Sequence, residues 1–171
     1  MNQEMRKKKT ELKWVKDMFV GFLNKKLGSD YEVKFPTINN DPDLPDVDGI
    51  LISQSGKFTT LNLQLTTDCK RNKEIKSYLI FNPDLIYESI KAKADKYEKQ
   101  NKNISNLILL IQGDMTKYKA TNMFTDNYLR KCSQYKFKGI YYLSPPKYSG
   151  GRNQCNYEES FVIPIKEIVV A

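Results

Sequence analysis

The run Leu107–Ile111, LILLI inside NLILLIQG, restricts the fold of this chain more than any other stretch. Five consecutive apolar residues leave no polar face to turn toward water, in either a helix or a strand. They fall far short of the ~20 residues that a helix needs to cross a bilayer. Bounded by Asn106 and by Gln112-Gly113, the run reads as a short strand central in a sheet and buried on both faces. Such a strand requires a layer packed against each side, so the remaining sequence must supply helices for two layers.

The flanking patterns supply them. Leu12, Val15, Phe19, Phe22, Leu23 and Leu27 recur at helical spacing, with Thr10 as the expected N-cap and Gly28 as the stop. YEVKFPTI reads as a first strand that Pro36 pushes toward an edge or an early end, and NNDPDLP as a loop. VDGILIS is a second strand, QSG a tight turn, and KFTTLNLQLTT a third strand paired with the second. In that third strand Leu61, Leu63 and Leu65 share one face, while Asn62, Gln64 and Thr66 share the other, which reads as polar and away from the core. KRNKEIKSYLIF reads as a loop. NPDLIYESIKAKADKYEKQ is a helix capped by Asn82, with Leu85, Ile86, Ile90, Ala94 and Tyr97 as its buried stripe. After the central strand come a weaker helix over residues 125–135, the strand GIYYLS, a loop PPKYSGGRNQ, and SFVIPIKEIVV as a last strand or short helix. The order predicts one α/β domain over residues 1–171: a mixed sheet flanked by helices, αβββαβ(αβ).

Composition narrows the chemistry. The chain has 171 residues, enough for one domain with its own core, and its 40% hydrophobic content is that of a globular protein. The basic N-terminus is not followed by an apolar segment or a small-residue cleavage site, so no signal peptide is expected. Cys69, Cys132 and Cys155 are odd in number and widely spaced, as befits free thiols in a reducing, cytoplasmic setting. Histidine is absent, which removes Ser-His-Asp and Cys-His catalysis and histidine-based zinc sites. Neither a Walker-type nor a dinucleotide-type glycine loop occurs. The net charge of +8 is unevenly spread. Lys117, Lys119, Arg130, Lys131, Lys136, Lys138, Lys147 and Arg152 face a single acid, Asp126, across that segment. Such clustering favours a polyanion, and nucleic acid is the commonest one in a cell; a lysine-rich solvated surface is the plainer explanation.

One hairpin carries candidate chemistry. PDVDGILI places Asp46 and Asp48 at the mouth of the second strand, and LNLQLTTDCK follows within twenty residues on the third. In this element order the pair resembles the PD-(D/E)XK, or restriction-endonuclease-like, nuclease superfamily. The resemblance covers roughly residues 10–143 and rests on topology and a short motif. It implies a Mg²⁺-dependent endonuclease (Mn²⁺ also serving) that hydrolyses nucleic acid, DNA rather than RNA. Asp48 falls where the family places its metal-binding aspartate, with Asp46 completing the literal PD. The family's apolar-acid-apolar-lysine pattern on the third strand has two matches. LQLT puts Gln64 at the acid and Thr66 at the lysine, a departure that looks similar to Crinkler and retrotransposon-hot-spot nuclease-like domains. Asp68-Cys69-Lys70 keeps the acid and lysine in the same register four residues later, with Asp68 as second metal ligand and Lys70 orienting water.

Glu11 matches an acid that the family uses on its first helix; a helix-start acid favoured by the macrodipole is the stronger explanation. Turn chemistry is the plain reading of Asp46 and Asp48. Lys117, Lys119, Arg130, Lys131, Lys138 and Arg152 are the expected backbone contacts to nucleic acid, which confer affinity without sequence information. Lys91, Lys93 and Lys96 are further phosphate candidates or a solvated face. Three functions stand open: an endonuclease, homodimeric if it follows type II restriction enzymes; a decayed nuclease-like fold that binds nucleic acid or inhibits a partner; and an accessory subunit. No membrane association is expected.

Overall fold

The structure is a computed structural model and describes residues 3–36, 43, 45, 47–67, 83–113, 115–149 and 156–169. Its helices are α1 (Gln3–Val15), α2 (Gly21–Leu27), α3 (Pro83–Lys99), α4 (Lys117–Met123) and α5 (Asp126–Ser133), and its strands β1 (Tyr31–Lys34), β2 (Gly49–Ser53), β3 (Leu61–Thr67), β4 (Leu107–Gln112), β5 (Gly139–Ser144), β6 (Lys147–Ser149), β7 (Asn156–Glu158) and β8 (Phe161–Lys166). Six strands form one sheet in the order β1-β2-β3-β4-β5-β8. β1, β2 and β3 pair antiparallel, β3, β4 and β5 parallel, and β8 antiparallel to β5. β6 and β7 form a separate small hairpin.

The LILLI run takes the central place that its composition demands. β4 lies between β3 and β5, and all its apolar residues are buried. Strand alternation sends Leu107, Leu109 and Ile111 to one face, where Ile86, Ile90 and Tyr97 of α3, Ala120 of α4 and Cys132 of α5 cover them. Ile108 and Leu110 turn to the other face, against Val15, Phe19, Val20 and Leu23 of the first helical stretch. The mixed α/β sheet with helices on both faces is therefore as expected from sequence.

Several boundaries differ. The first helix is already formed at Gln3, the first described residue, rather than beginning after Thr10, because Arg6 to Lys13 contains no breaker and, Thr10 apart, only good helix formers. Thr10 is interior, its hydroxyl donating to Arg6 O at 3.0 Å, so it is not an N-cap. A π-helical turn, Lys16–Val20, joins α1 to α2. Its wider winding brings Val15, Phe19, Val20 and Leu23 together into the same core. Gly28 ends α2 as expected, at φ +64.

β1 stops at Lys34, before Pro36, and β3 begins at Leu61, so residues 54–60 form a longer connection than a tight turn. Helix α5 takes Thr125 as its N-cap, accepting from Tyr128 N–H. Sequence patterning does not register α4, nor the β6–β7 hairpin, whose first strand lies in a stretch expected to be loop; both are too short for a period to show. The final segment is a strand, β8, rather than a helix. The expected loop over residues 70–81 and the cap Asn82 lie outside the described residues. Among the described residues no helix is long and apolar enough to cross a membrane.

Candidate functional site

The polar face of β3 is not turned away from the core. Gln64 and Thr66 point to the side that α3 covers; Thr66 is buried and Gln64 half-buried. The expected alternation holds, but a central strand of a three-layer fold has no solvent face. Polar groups in such a place need partners, and Gln64 finds two. Its amide Nε2 donates to Asp48 Oδ2 at 3.1 Å, and its Oε1 accepts from the Tyr97 hydroxyl of α3 at 2.9 Å. The chain Asp48–Gln64–Tyr97 thus links the approach to β2, the middle of β3 and the end of α3.

Asp48 also completes the sheet. The β2–β3 ladder ends at the pair Gly49–Leu63. Beyond it, Asp48 N–H donates to Leu63 O at 2.8 Å, and Asp48 Oδ2 accepts from Leu65 N–H at 2.8 Å. Side chain and backbone of one residue therefore serve the next two main-chain groups of β3 after the strand itself has stopped. Gly49, the following residue, lies under α1: a Cβ there would come within 2.7 Å of Leu12 Cδ2. Helix, strand start and acid are packed as one unit.

The sequence-derived residues divide as follows. Asp48 and Gln64 are brought together. Thr66 lies along the same strand face. Asp46, Asp68, Lys70 and Arg152 lie outside the described residues, as do Cys69 and Cys155. Glu11 is in the last part of α1, well past the helix start, which removes the macrodipole explanation for it; its side chain is outside the described part. Lys117 and Lys119 are exposed at the start of α4, and Arg130 and Lys131 are exposed on α5. Lys131 Nζ lies 3.9 Å from the Tyr87 ring centroid, a cation–π contact. Lys138 is half-buried just before β5. Lys93, half-buried, is one turn before Tyr97 on α3 and so on a neighbouring part of the same helix face.

The entry to α4 is firmly held: Met115 N–H donates to the Tyr142 hydroxyl at 3.1 Å, and the Ser144 hydroxyl donates to Met115 O at 3.2 Å. Cys132 is a buried thiol whose pKa burial pushes up, so it is an inert packing group.

In the sequence Tyr97 shows only as part of a buried stripe. A phenol on such a stripe needs a partner for its hydroxyl, and a polar residue on the inward face of the preceding strand is where to seek one. That signal is present in the residues themselves.

A hard cation takes oxygen ligands. The described residues hold no group of three or more Asp, Glu, Cys or His disposed for one. Among the described residues two donors go to Asp48 Oδ2, so Oδ1 is the oxygen that could serve as a ligand. Mg²⁺ commonly binds through one or two carboxylates and completes its shell with water and substrate phosphate, and Asp48 fits that role. Gln64 would offer its carbonyl only with the amide turned over, its NH₂ then facing Tyr97.

Comparison with known protein families, curated proteins and solved structures finds no match to this chain.

Proposed function

We propose that this chain is a PD-(D/E)XK-like, Mg²⁺-dependent endonuclease acting on nucleic acid, DNA in preference to RNA. The observation that carries the proposal is the pairing of Asp48 with Gln64 across β2 and β3, within an αβββαβ order of elements. That is the disposition expected of an acid opening one strand and a ligand on its neighbour. Asp48 offers Oδ1 toward a cation, and Gln64, anchored by Tyr97, holds the facing position. When bound, Mg²⁺ would supply positive charge to offset the negative charge developing on the phosphate oxygens and to lower the pKa of a bound water. The exposed Lys119, Arg130 and Lys131 would hold the phosphate backbone by charge.

A second reading has its own support. Gln64 satisfies Asp48 without any cation, because an amide donates where a second carboxylate would repel. A nuclease-like fold so arranged would bind nucleic acid without cutting it.

Plasmid cleavage with Mg²⁺ or Mn²⁺ tests both. The nuclease reading expects nicking or linearisation by the wild type and its fall to background in Asp48→Asn, which keeps an acceptor for Leu65 N–H. Cleavage undiminished in that variant sinks the site assignment. Salt-dependent binding without cleavage selects the second reading, and absence of both at low salt refutes the two together.

A further inference from the structure

Between the C-terminal ends of α3 and α5 lies a cavity of about 440 Å³, within the ~300–1,000 Å³ usual for small-molecule sites. It shares no residue with the Asp48–Gln64 pair. Its walls are residues 94–104, which lead into β4, and 134–136, which lead toward β5.

These walls are pre-set by hydrogen bonds. Asn101 N–H donates to Glu98 O at 3.0 Å and Lys102 N–H to Tyr97 O at 2.9 Å, so the chain leaves α3 in a fixed turn with Asn101 at φ +53. On the opposite wall the Tyr135 hydroxyl donates to the Tyr87 hydroxyl at 3.0 Å, and Lys166 Nζ donates to Tyr135 O at 2.7 Å. Both the ring and the backbone of Tyr135 are thereby held. Desolvation and the hydrogen bond with Tyr87 push the Tyr135 phenol up to about 12, so it stays protonated.

The lining combines three kinds of group. Tyr135 with Ala94 and Ile104 gives an aromatic and apolar surface. Asn101 gives a carboxamide with adjacent donor and acceptor, and Gln134 gives a second whose Nε2 already donates to Lys131 O at 2.9 Å, leaving chiefly its carbonyl oxygen for a ligand. Lys102 and Lys136 give two cations. Charge is not uniform, since Glu98 lines the cavity and Asp95 lies near Tyr135.

We propose that this cavity binds a nucleotide unit. Its planar base stacks on Tyr135, its edge meets the carboxamides, and Lys102 and Lys136 hold the phosphate. Glu98 accepts from an exocyclic amine, which favours adenine over uracil. The unit comes either from a free nucleotide or from a single strand, and the chemistry of recognition is the same.

Calorimetric titration of the full chain with AMP, UMP and a short oligo(dA) tests the proposal. AMP should bind, and more tightly than UMP. Asn101→Gly, which suits the positive φ and removes only the carboxamide, and Lys136→Ala, at an exposed position, should each weaken AMP about tenfold. Asp48→Asn should bind as the wild type does, which separates this site from the nuclease reading. Competition between oligo(dA) and AMP assigns the site to a strand, and AMP binding without competition assigns it to the free nucleotide; either result supports the proposal. Failure of every probe to bind at millimolar concentration overturns it. So does AMP affinity unchanged in both cavity variants with unchanged thermal stability.

Discussion

At Gln64 a single atom decides the character of the site. The amide nitrogen donates to Asp48 Oδ2; a carboxylate oxygen in its place would face another carboxylate across the same 3.1 Å. Gln64→Glu is therefore expected to destabilise the fold at pH 7 by about 1–3 kcal/mol, the cost of a half-buried polar contact turned repulsive. The introduced acid pair has its pKa raised in the folded state. Its deficit is thus small below the unfolded carboxylate pKa and grows as pH rises through the folded value. Urea denaturation of wild type and variant at pH 4 and pH 7, with and without Mg²⁺, checks both parts. The deficit should shrink in acid and on adding the cation. A variant as stable as the wild type at pH 7 without Mg²⁺ would show that the two side chains do not face each other.

Among the elements, the link between the first helical layer and the β2–β3 connection depends on Asp30. Its carboxylate accepts from the Ser53 hydroxyl at 2.5 Å and from Ser55 N–H at 2.7 Å. These bonds, that with Ser53 foremost, lower its pKa below the usual carboxylate value. A lowered folded pKa contributes stability above the unfolded pKa and loses it as pH falls through the folded one. Asp30→Asn should accordingly lower the denaturation midpoint at pH 7 and leave it nearly unchanged near pH 2. An equal loss at both pH values would assign the effect to shape rather than charge. Elements with strong periodicity are legible in the residues alone: β4 from its unbroken apolar run, α3 from its stripe, the end of α2 from Gly28. What is not legible has physical causes. Helix α4 has seven residues and buries only one face at Ala120, too short a span for periodicity to register. The covering of β3 by α3 is tertiary information, and alternation alone says nothing of which layer lies above a strand.

For the molecule as a whole, the excess of 28 basic over 20 acidic residues makes a prediction independent of any site. Association with nucleic acid should weaken with salt, log K falling about 0.9 for each phosphate neutralised on duplex DNA. Lys119→Ala and Arg130→Ala, both at exposed positions, should each reduce that slope by about 0.9 if the residue meets a phosphate, while Asp48→Asn leaves it unaltered. Fluorescence anisotropy with labelled duplex across a salt series measures the slopes. Slopes unchanged in both lysine and arginine variants would place the contact surface elsewhere. Sequence conveys the total charge but not its display, and it conveys the Asp48–Gln64 encounter only through a resemblance.

The double duty of Asp48 has an evolutionary consequence. Because its carboxylate takes Leu65 N–H where β2 has ended, the residue is under selection for folding as well as for any chemistry. A lineage that lost cleavage would still need an acceptor here for Leu65 N–H, which asparagine also supplies. An aspartate retained there would therefore be weak evidence of cleavage; the facing position, where an acid is tolerated only with a cation to offset the repulsion, is where that history would be written.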